Sequence, residues 1–429
     1  MIGIEDLHGL FLQCSGACTD TRNITTDSMF FALKGPNFNA NNFAAEAIAK
    51  GSSFAVVDDP NVATIDRILL VPDVIKTLQE LATFHRSQFQ IPVIGITGTN
   101  GKTTTKELIH AVLSSDRETL STAGNLNNHI GVPLTLLRLN EEHQIAIIEM
   151  GANKRGDIKE LAEIAEPTHG LITNIGKAHM EGFGSAQGVI DTKTELYDNI
   201  RDRNGMIFVN SDDELLMEKS EGIKRQTYGI SERAESRGTD RTSGPFLSFS
   251  WEYNGIISTT VTTGLIGAYN LSNALAAVCI GGFFNVKDAL IAEAIGSYAP
   301  NNNRSQFIET ANNQLIMDAY NANPSSMKVA LENFAAMKTD RKKLAILGDM
   351  LELGDTSGEE HLSIVNSIAG LSIKAHFVGP IFVQTAGAEN ADQDVASAKD
   401  RLHAMALRDH LILIKGSRGI KLETLVPVL

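Results

Sequence analysis

The segment Gly98-Thr99-Asn100-Gly101-Lys102-Thr103 carries the residue types that hold phosphate. Glycines let backbone amides converge on phosphate oxygens, and a helix N-terminus adds partial positive charge. The lysine supplies a cation to the β- and γ-phosphates, and the threonine hydroxyl can ligate Mg²⁺. The usual loop places four residues between its glycines, and Ile96 stands where the first would fall. Gly98 is present instead. Gly-Lys-Thr alone is a weak signal, and the competing interpretation is a glycine-rich turn with a helix-capping threonine. The context favours a nucleotide site: residues 91–97 form an apolar run of buried-strand type, and residues 102–113 read as a helix.

Other groups could complete such a site. Glu149 ends the apolar run 145–149, and a carboxylate at the C-terminal end of a parallel strand faces the crevice where ligands bind. It can serve Mg²⁺ directly or through water. His179 follows the strand 170–173 and, taken alone, reads as loop structure. Lys193, on a predicted helix beside Glu195, reads alone as half of a surface ion pair. Asn270 and Asn273 could cap a helix. Asn321 and Asn323, before Pro324, could form a turn and N-cap with proline at the first helical position. Lys415, Ser417 and Arg418 could be solvated loop groups.

Strands alternating with helices must position these groups, which predicts an α/β protein with mostly parallel sheets. In a first block, strands are expected at 28–33, 53–57 and 68–71 and helices at 44–50 and 74–88. Its polar run 35–42 reads as a loop. In a second block, buried strands recur at 145–149, 170–173 and 205–209, and residues 246–253 and 256–263 alternate around Asn254-Gly255, a hairpin signal. A helix is expected at 271–280. Asn301, Asn302 and Asn303 mark a linker and candidate hinge. A third block has strands at 315–317, 344–347, 375–378 and 411–414, a small doubly wound unit without Gly-x-Gly-x-x-Gly after its first strand, so dinucleotide binding is not predicted.

Composition sets bounds. The 429 residues suggest about three domains, and 43% hydrophobic content suits full cores. The net charge of −14 argues against a nucleic-acid partner, which wants a basic face. Cys14, Cys18 and Cys279 make no disulfide framework, and the first two lack a second pair for zinc. No apolar run could span a bilayer, and the N-terminus has no signal-peptide pattern, so a reducing cytoplasm is expected.

In order, Gly98-Thr99-Asn100-Gly101-Lys102-Thr103-Thr104, Glu149-Met150-Gly151-Ala152, Asn174-Ile175-Gly176-Lys177-Ala178-His179 and Tyr320-Asn321-Ala322-Asn323-Pro324 resemble the Mur ligase family of peptidoglycan synthesis, over essentially the whole chain. Asn125-Leu126-Asn127-Asn128-His129-Ile130-Gly131-Val132-Pro133 is similar to the member that adds D-Ala-D-Ala. The resemblance implies three α/β domains. These are a small N-terminal substrate domain for UDP-muramoyl-peptide (1–88), a central P-loop mononucleotide-binding domain (89–309), and a C-terminal Rossmann-like domain for the incoming dipeptide (310–429). It implies ATP-dependent joining of D-Ala-D-Ala to UDP-N-acetylmuramoyl-tripeptide through an acyl phosphate, in a cytoplasmic monomer.

Residue roles are likewise implied by the resemblance. Lys102 and Thr103 would hold ATP phosphates and Mg²⁺, with Gly98, Thr99, Asn100, Gly101 and Thr104 in the same loop. Glu149 and His179 would serve metal, and Lys193 would be carbamylated by CO₂ and meet a second Mg²⁺. Asn270 and Asn273 would lie on the adenine side, Arg304 against phosphate or ribose, and Asp318 against ribose. Asn127 and Asn128 would meet the muramoyl-peptide, and Asn321 and Asn323 the dipeptide. The family's Asp-Ser-Arg is Asp20-Thr21-Arg22 here, and Lys34-Gly35 is followed by Asn39-Ala40-Asn41 rather than Asp-Gly-His. Thr21, Arg22 and Lys34 are the corresponding candidates for UDP-sugar contact. The alternatives are another ligase of the fold, of folylpolyglutamate synthetase type, and a nucleotide-regulated binding protein without ligation.

Overall fold

In the computed structural model, residues 2–176, 180–242, 244–371 and 373–429 are described. Three sheets organise them. The first is four-stranded and parallel, in the order Ala17–Cys18, Met29–Phe31, Phe54–Val57, Ile68–Leu70. Strand alternation divides its side chains. Phe30, Ala55 and Val57 pack under the helix Ala44–Ala49, while Met29, Phe31 and Val56 pack under Ile4–Phe11 and Val74–Ser87. The second core runs on without a break into the central domain, joining Leu78 and Leu81 to Val132 and Leu161. A buried chain of hydrogen bonds crosses the same boundary, from His8 Nε2 to His85 Nδ1 (2.9 Å) and from His85 Nε2 to the Leu139 carbonyl (2.9 Å).

Residues 35–42, expected as a loop, contain a small hairpin: Lys34–Gly35 pairs antiparallel with Phe38–Asn39, followed by a 3₁₀ turn at Ala40–Phe43. Its strands are too short for an alternation pattern to register in the sequence.

The central sheet places Val93–Thr97 between Ile145–Glu149 and His169–Ile172, all parallel. Chain order reverses across these strands, because Thr119–Ser121 and Ile145–Glu149 lie on one side and His169–Ile172 on the other. Ligand-binding loops collect at such a switch point. Ile94 and Ile96 face the helices Lys102–Ser114 and Leu271–Phe283, and Val93 and Ile148 face the opposite layer. The Asn254-Gly255 turn has both residues at positive φ (50° and 77°), as a tight hairpin requires. Its second arm breaks after Ile256–Ile257 and resumes as Val261–Ile266 against the same partner strand.

The third sheet runs Gln306–Glu309, Gln314–Asp318, His410–Lys415, Lys342–Gly348, Lys374–Val378, Ala391–Asp392, with only the first strand antiparallel. Gln306–Glu309 falls before the expected break at 310, yet it pairs with Gln314–Asp318, so this sheet begins at Gln306. The linker before it is tied to the phosphate-loop helix. Glu107 accepts from Tyr298 Oη at 2.6 Å and from Asn302 Nδ2 at 3.0 Å. No helix among the described residues is long and apolar enough to cross a membrane.

Candidate active site

The C-terminal ends of the central strands and of the third sheet face one another across a cleft of about 870 Å³. The phosphate loop forms its floor. Gly98 has φ 143°, and a Cβ there would fall 2.0 Å from Thr173 Oγ1. Gly101 has φ 79°, and a Cβ would meet Asn273 Oδ1 at 2.7 Å. Both glycines are therefore demanded by the loop's path, which accounts for a glycine at 98 rather than 96. Lys102 Nζ donates to the carbonyls of Gly98 (2.7 Å) and Thr99 (3.1 Å). Burial pushes its pKa down to about 8, with Glu149 opposing and Arg304 assisting the shift.

Register places Glu149 beside Ile96, two residues before the loop begins at Gly98. Its Oε1 accepts from Thr103 Oγ1 (3.2 Å) and Asn127 Nδ2 (2.8 Å). Its Oε2 is buried and has no partner. An orphaned carboxylate oxygen beside a threonine hydroxyl at a phosphate loop is a hard-oxygen set that fits Mg²⁺. Among the described residues no three carboxylate, imidazole or thiol groups cluster.

Lys193 lies on the helix Ala186–Asp202 with its side chain buried, 5.7 Å over the Phe183 ring, rather than in a surface ion pair. It shares a small cavity with Gly98 and Lys102. Burial first, and the charge of Lys102 second, bring its pKa down to about 7. His179 lies outside the described residues.

Asn270 stands at the N-cap of the helix Leu271–Phe283, but its side chain makes no cap bond. Asn270 donates to the Ile266 carbonyl (2.8 Å) and accepts from Asn273 (2.9 Å), which in turn accepts from Thr105 Oγ1 (3.1 Å). Both line the cleft. On the far wall, the Arg304 guanidinium stacks on Tyr320 at 3.7 Å, and Arg418 approaches the same ring at 5.4 Å. Asp318 pairs with Lys415 at 2.6 Å. Thr99, Asn100, Thr104, Asn128 and Asn321 also line the cleft.

Thr21, Arg22 and Lys34 do not line it. Arg22 folds back onto Asp20 (2.7 Å), Lys34 pairs with Asp58 (2.8 Å), and Thr21 offers its carbonyl to Lys50 (3.0 Å). Asn127, expected to meet substrate, donates to Glu149, and Asn128 Oδ1 accepts from the backbone amides of Ile130 (3.1 Å) and Gly131 (2.8 Å). Sequence reasoning missed Tyr320 as a platform for two guanidinia and Asn174 as the brace of the phosphate loop. Asn174 accepts from Asn100 N at 3.0 Å and donates to the Asn100 carbonyl at 2.9 Å. Their positions inside conspicuous segments were the only available signal.

Fold and cleft together define a P-loop α/β protein whose nucleotide site is closed by a second α/β sheet. The Mur ligase middle domain matches residues 96–281, and the Mur ligase glutamate ligase domain matches 303–418. A UDP-N-acetylmuramoyl-tripeptide–D-alanyl-D-alanine ligase from Bacillus subtilis is 34% identical over 424 residues, covering 96% of this chain and 92% of that protein. A crystal structure of MurF from Acinetobacter baumannii superposes with TM-score 0.87 at 31% identity, covering 99% of this chain and 97% of that one. MurF ligase from Thermotoga maritima in complex with ADP superposes with TM-score 0.86 at 25% identity, covering 97% of each chain. The chain belongs to the Mur ligase family.

Proposed function

We propose that this protein is an ATP-dependent ligase that joins D-Ala-D-Ala to UDP-N-acetylmuramoyl-tripeptide, releasing ADP and phosphate. The observation that carries this reading is the single cleft in which Lys102, Thr103 and Glu149 face Arg304, Asp318 and the Tyr320–Asn323 segment. Full-length similarity to ligases of that name supports it. Under this reading residues 1–88 take the UDP-sugar, 89–309 the ATP, and the remainder the dipeptide.

A carboxylate resists amine attack because its leaving oxygen is too basic. In the first step a tripeptide carboxylate oxygen attacks the γ-phosphorus, and the bond to ADP breaks. The amine of D-Ala-D-Ala then attacks the acyl carbon, loses a proton, and phosphate departs. Positioning and charge neutralisation dominate such transfers. Lys102 would leave the Gly98 and Thr99 carbonyls for phosphate oxygens, and Arg304, held flat by Tyr320, would meet developing charge. Thr103 and Glu149 would hold Mg²⁺, with His179 as a further candidate ligand. When bound, Mg²⁺ offsets phosphate charge. Asn270 and Asn273 would border the adenine side, and Asp318 the ribose. Asn127 and Asn128 would shape the approach of the muramoyl-peptide, and Asn321 and Asn323 that of the dipeptide.

Lys193 supports carbamylation because only a neutral amine adds to CO₂, losing a proton as the N–C bond forms. A pKa of about 7 keeps much of it neutral at physiological pH. The small cavity it shares with Gly98 and Lys102 supports a role for that carbamate beside the phosphate loop.

The test is phosphate release over a panel of acceptors. Turnover requiring both UDP-muramoyl-tripeptide and D-Ala-D-Ala is expected. Turnover with a folate and glutamate instead, or with no acceptor at all, contradicts the reading.

A further inference from the structure

We propose that Asn100 and Asn323 form the contact by which the phosphate loop itself seats the C-terminal domain, making both positioning residues for the incoming dipeptide. The dipeptide part rests on the ligase reading above. Asn323 Nδ2 donates to Asn100 Oδ1 at 2.8 Å, across 223 positions of sequence. Among the described residues no other hydrogen bond joins loop residues 98–103 to the third domain.

The Asn323 side chain and the Asn100 backbone are each fixed by other contacts. The Asn323 Oδ1 accepts from Ser326 N at 2.9 Å, and the Ser326 Oγ accepts from Asn323 N at 3.1 Å, capping the helix Pro324–Ala336. That spends the oxygen and leaves the amide nitrogen as the outward donor. On the other side, the Asn100 backbone is braced by the segment after the strand His169–Ile172. Its N–H donates to Asn174 Oδ1 (3.0 Å), and its carbonyl accepts from Thr173 Oγ1 (2.7 Å) and Asn174 Nδ2 (2.9 Å). Asn323 is 8% exposed, and the bond is part-buried at the edge of the cleft. A second close approach lies alongside, where a Cβ on Gly176 would stand 3.3 Å from Ser325 Oγ.

Phosphate loops act on phosphate through backbone amides and the lysine, so the side chain at Asn100 is not needed for that task. Its amide oxygen instead receives the cap residue of the helix that follows Tyr320-Asn321-Ala322. The loop's path and the placement of that segment are thereby linked.

The experiment uses the full chain and a double-mutant cycle. Asn323→Ser keeps a good N-cap but is too short to reach Asn100. Asn100→Ala removes the acceptor. At saturating ATP and UDP-muramoyl-tripeptide, each single variant is expected to raise KM for D-Ala-D-Ala about three- to tenfold, the range for one hydrogen bond. The double variant is expected to match the worse single one, because the second substitution removes nothing that remains. Asn323→Ser should melt as the parent does. An unchanged KM for Asn323→Ser, or single effects that multiply in the double variant, overturns the proposal. Small-angle scattering of the unliganded proteins tests the contact without the ligase reading. Equal expansion of both single variants is expected, and parental curves refute it. A parent that releases no phosphate with D-Ala-D-Ala counts against the ligase reading alone.

Discussion

Glu149→Gln separates function from stability with opposite signs. The carboxylate is 1% exposed, and its Oε1 is satisfied by Thr103 and Asn127 while Oε2 has no partner. An orphaned buried acceptor costs about 1–3 kcal/mol, and more when charged. Glutamine keeps the Oε1 contacts and exchanges the charged orphan for a neutral one. The metal-free variant is therefore expected to gain about 1 kcal/mol, a rise of roughly 1 °C in melting temperature for a chain of this length. The same change removes the charged oxygen that Mg²⁺ requires. Phosphate release should fall by about 10²–10³-fold, the usual loss for one preorganised charge contact. The parent should also gain about 2.7 kcal/mol from Mg²⁺ and ADP at a hundred times the dissociation constant, and the variant little of it. Melting curves with and without Mg²⁺ and ADP, run beside the activity assay, read both signs. A variant that melts below the parent without metal, and keeps the parent's response to Mg²⁺, refutes the reasoning.

Two further outcomes follow from buried titrating groups. With its pKa near 7, Lys193 is about half neutral at pH 7 and about one-tenth neutral at pH 6, so carbamate is lost as pH falls. Phosphate release in CO₂-depleted buffer should drop toward pH 6 and recover with bicarbonate, and Lys193→Ala should be inactive but partly rescued by a short carboxylate. Full activity of Lys193→Ala removes that residue from the site. At the boundary of the first two domains, burial holds His8 and His85 below the ordinary histidine range. Their folded pKa values lie under the unfolded 6.5, so the stability they support is present above that pH and lost below it, by up to about 1.4 kcal/mol per pH unit for each. Protonation would set two donors face to face at 2.9 Å. Urea midpoints should fall from pH 7 to pH 5 in the parent, whereas His85→Leu should start lower at pH 7, from the orphaned Leu139 carbonyl, and fall less. Equal slopes would show that the pair does not titrate on unfolding.

Much of this arrangement is legible in the sequence because it is local. The apolar run 93–97 and the Gly-Lys-Thr that follows announce strand, loop and helix together. Glu149 was found because its strand ends where the carboxylate begins. Partner choice was not legible. Asn127 points at Glu149, and Arg304 lies on Tyr320, through tertiary placement that no spacing encodes. The same holds for Thr21, Arg22 and Lys34. Their types suit a UDP-sugar, and within the first domain Arg22 pairs with Asp20, Lys34 with Asp58, and the Thr21 carbonyl accepts from Lys50. The Asn321–Asn323 segment carried two meanings at once. Asn323 is the N-cap that its proline suggested, and the other end of its amide reaches the phosphate loop.

The central claim is that this cleft makes an amide by way of an acyl phosphate. The most direct measurement is isotope transfer from UDP-muramoyl-tripeptide labelled with ¹⁸O in its terminal carboxylate, incubated with ATP and D-Ala-D-Ala. The account predicts one labelled oxygen in the released phosphate and a product extended by D-Ala-D-Ala. Unlabelled phosphate, or ATP hydrolysis without the extended product, would contradict it.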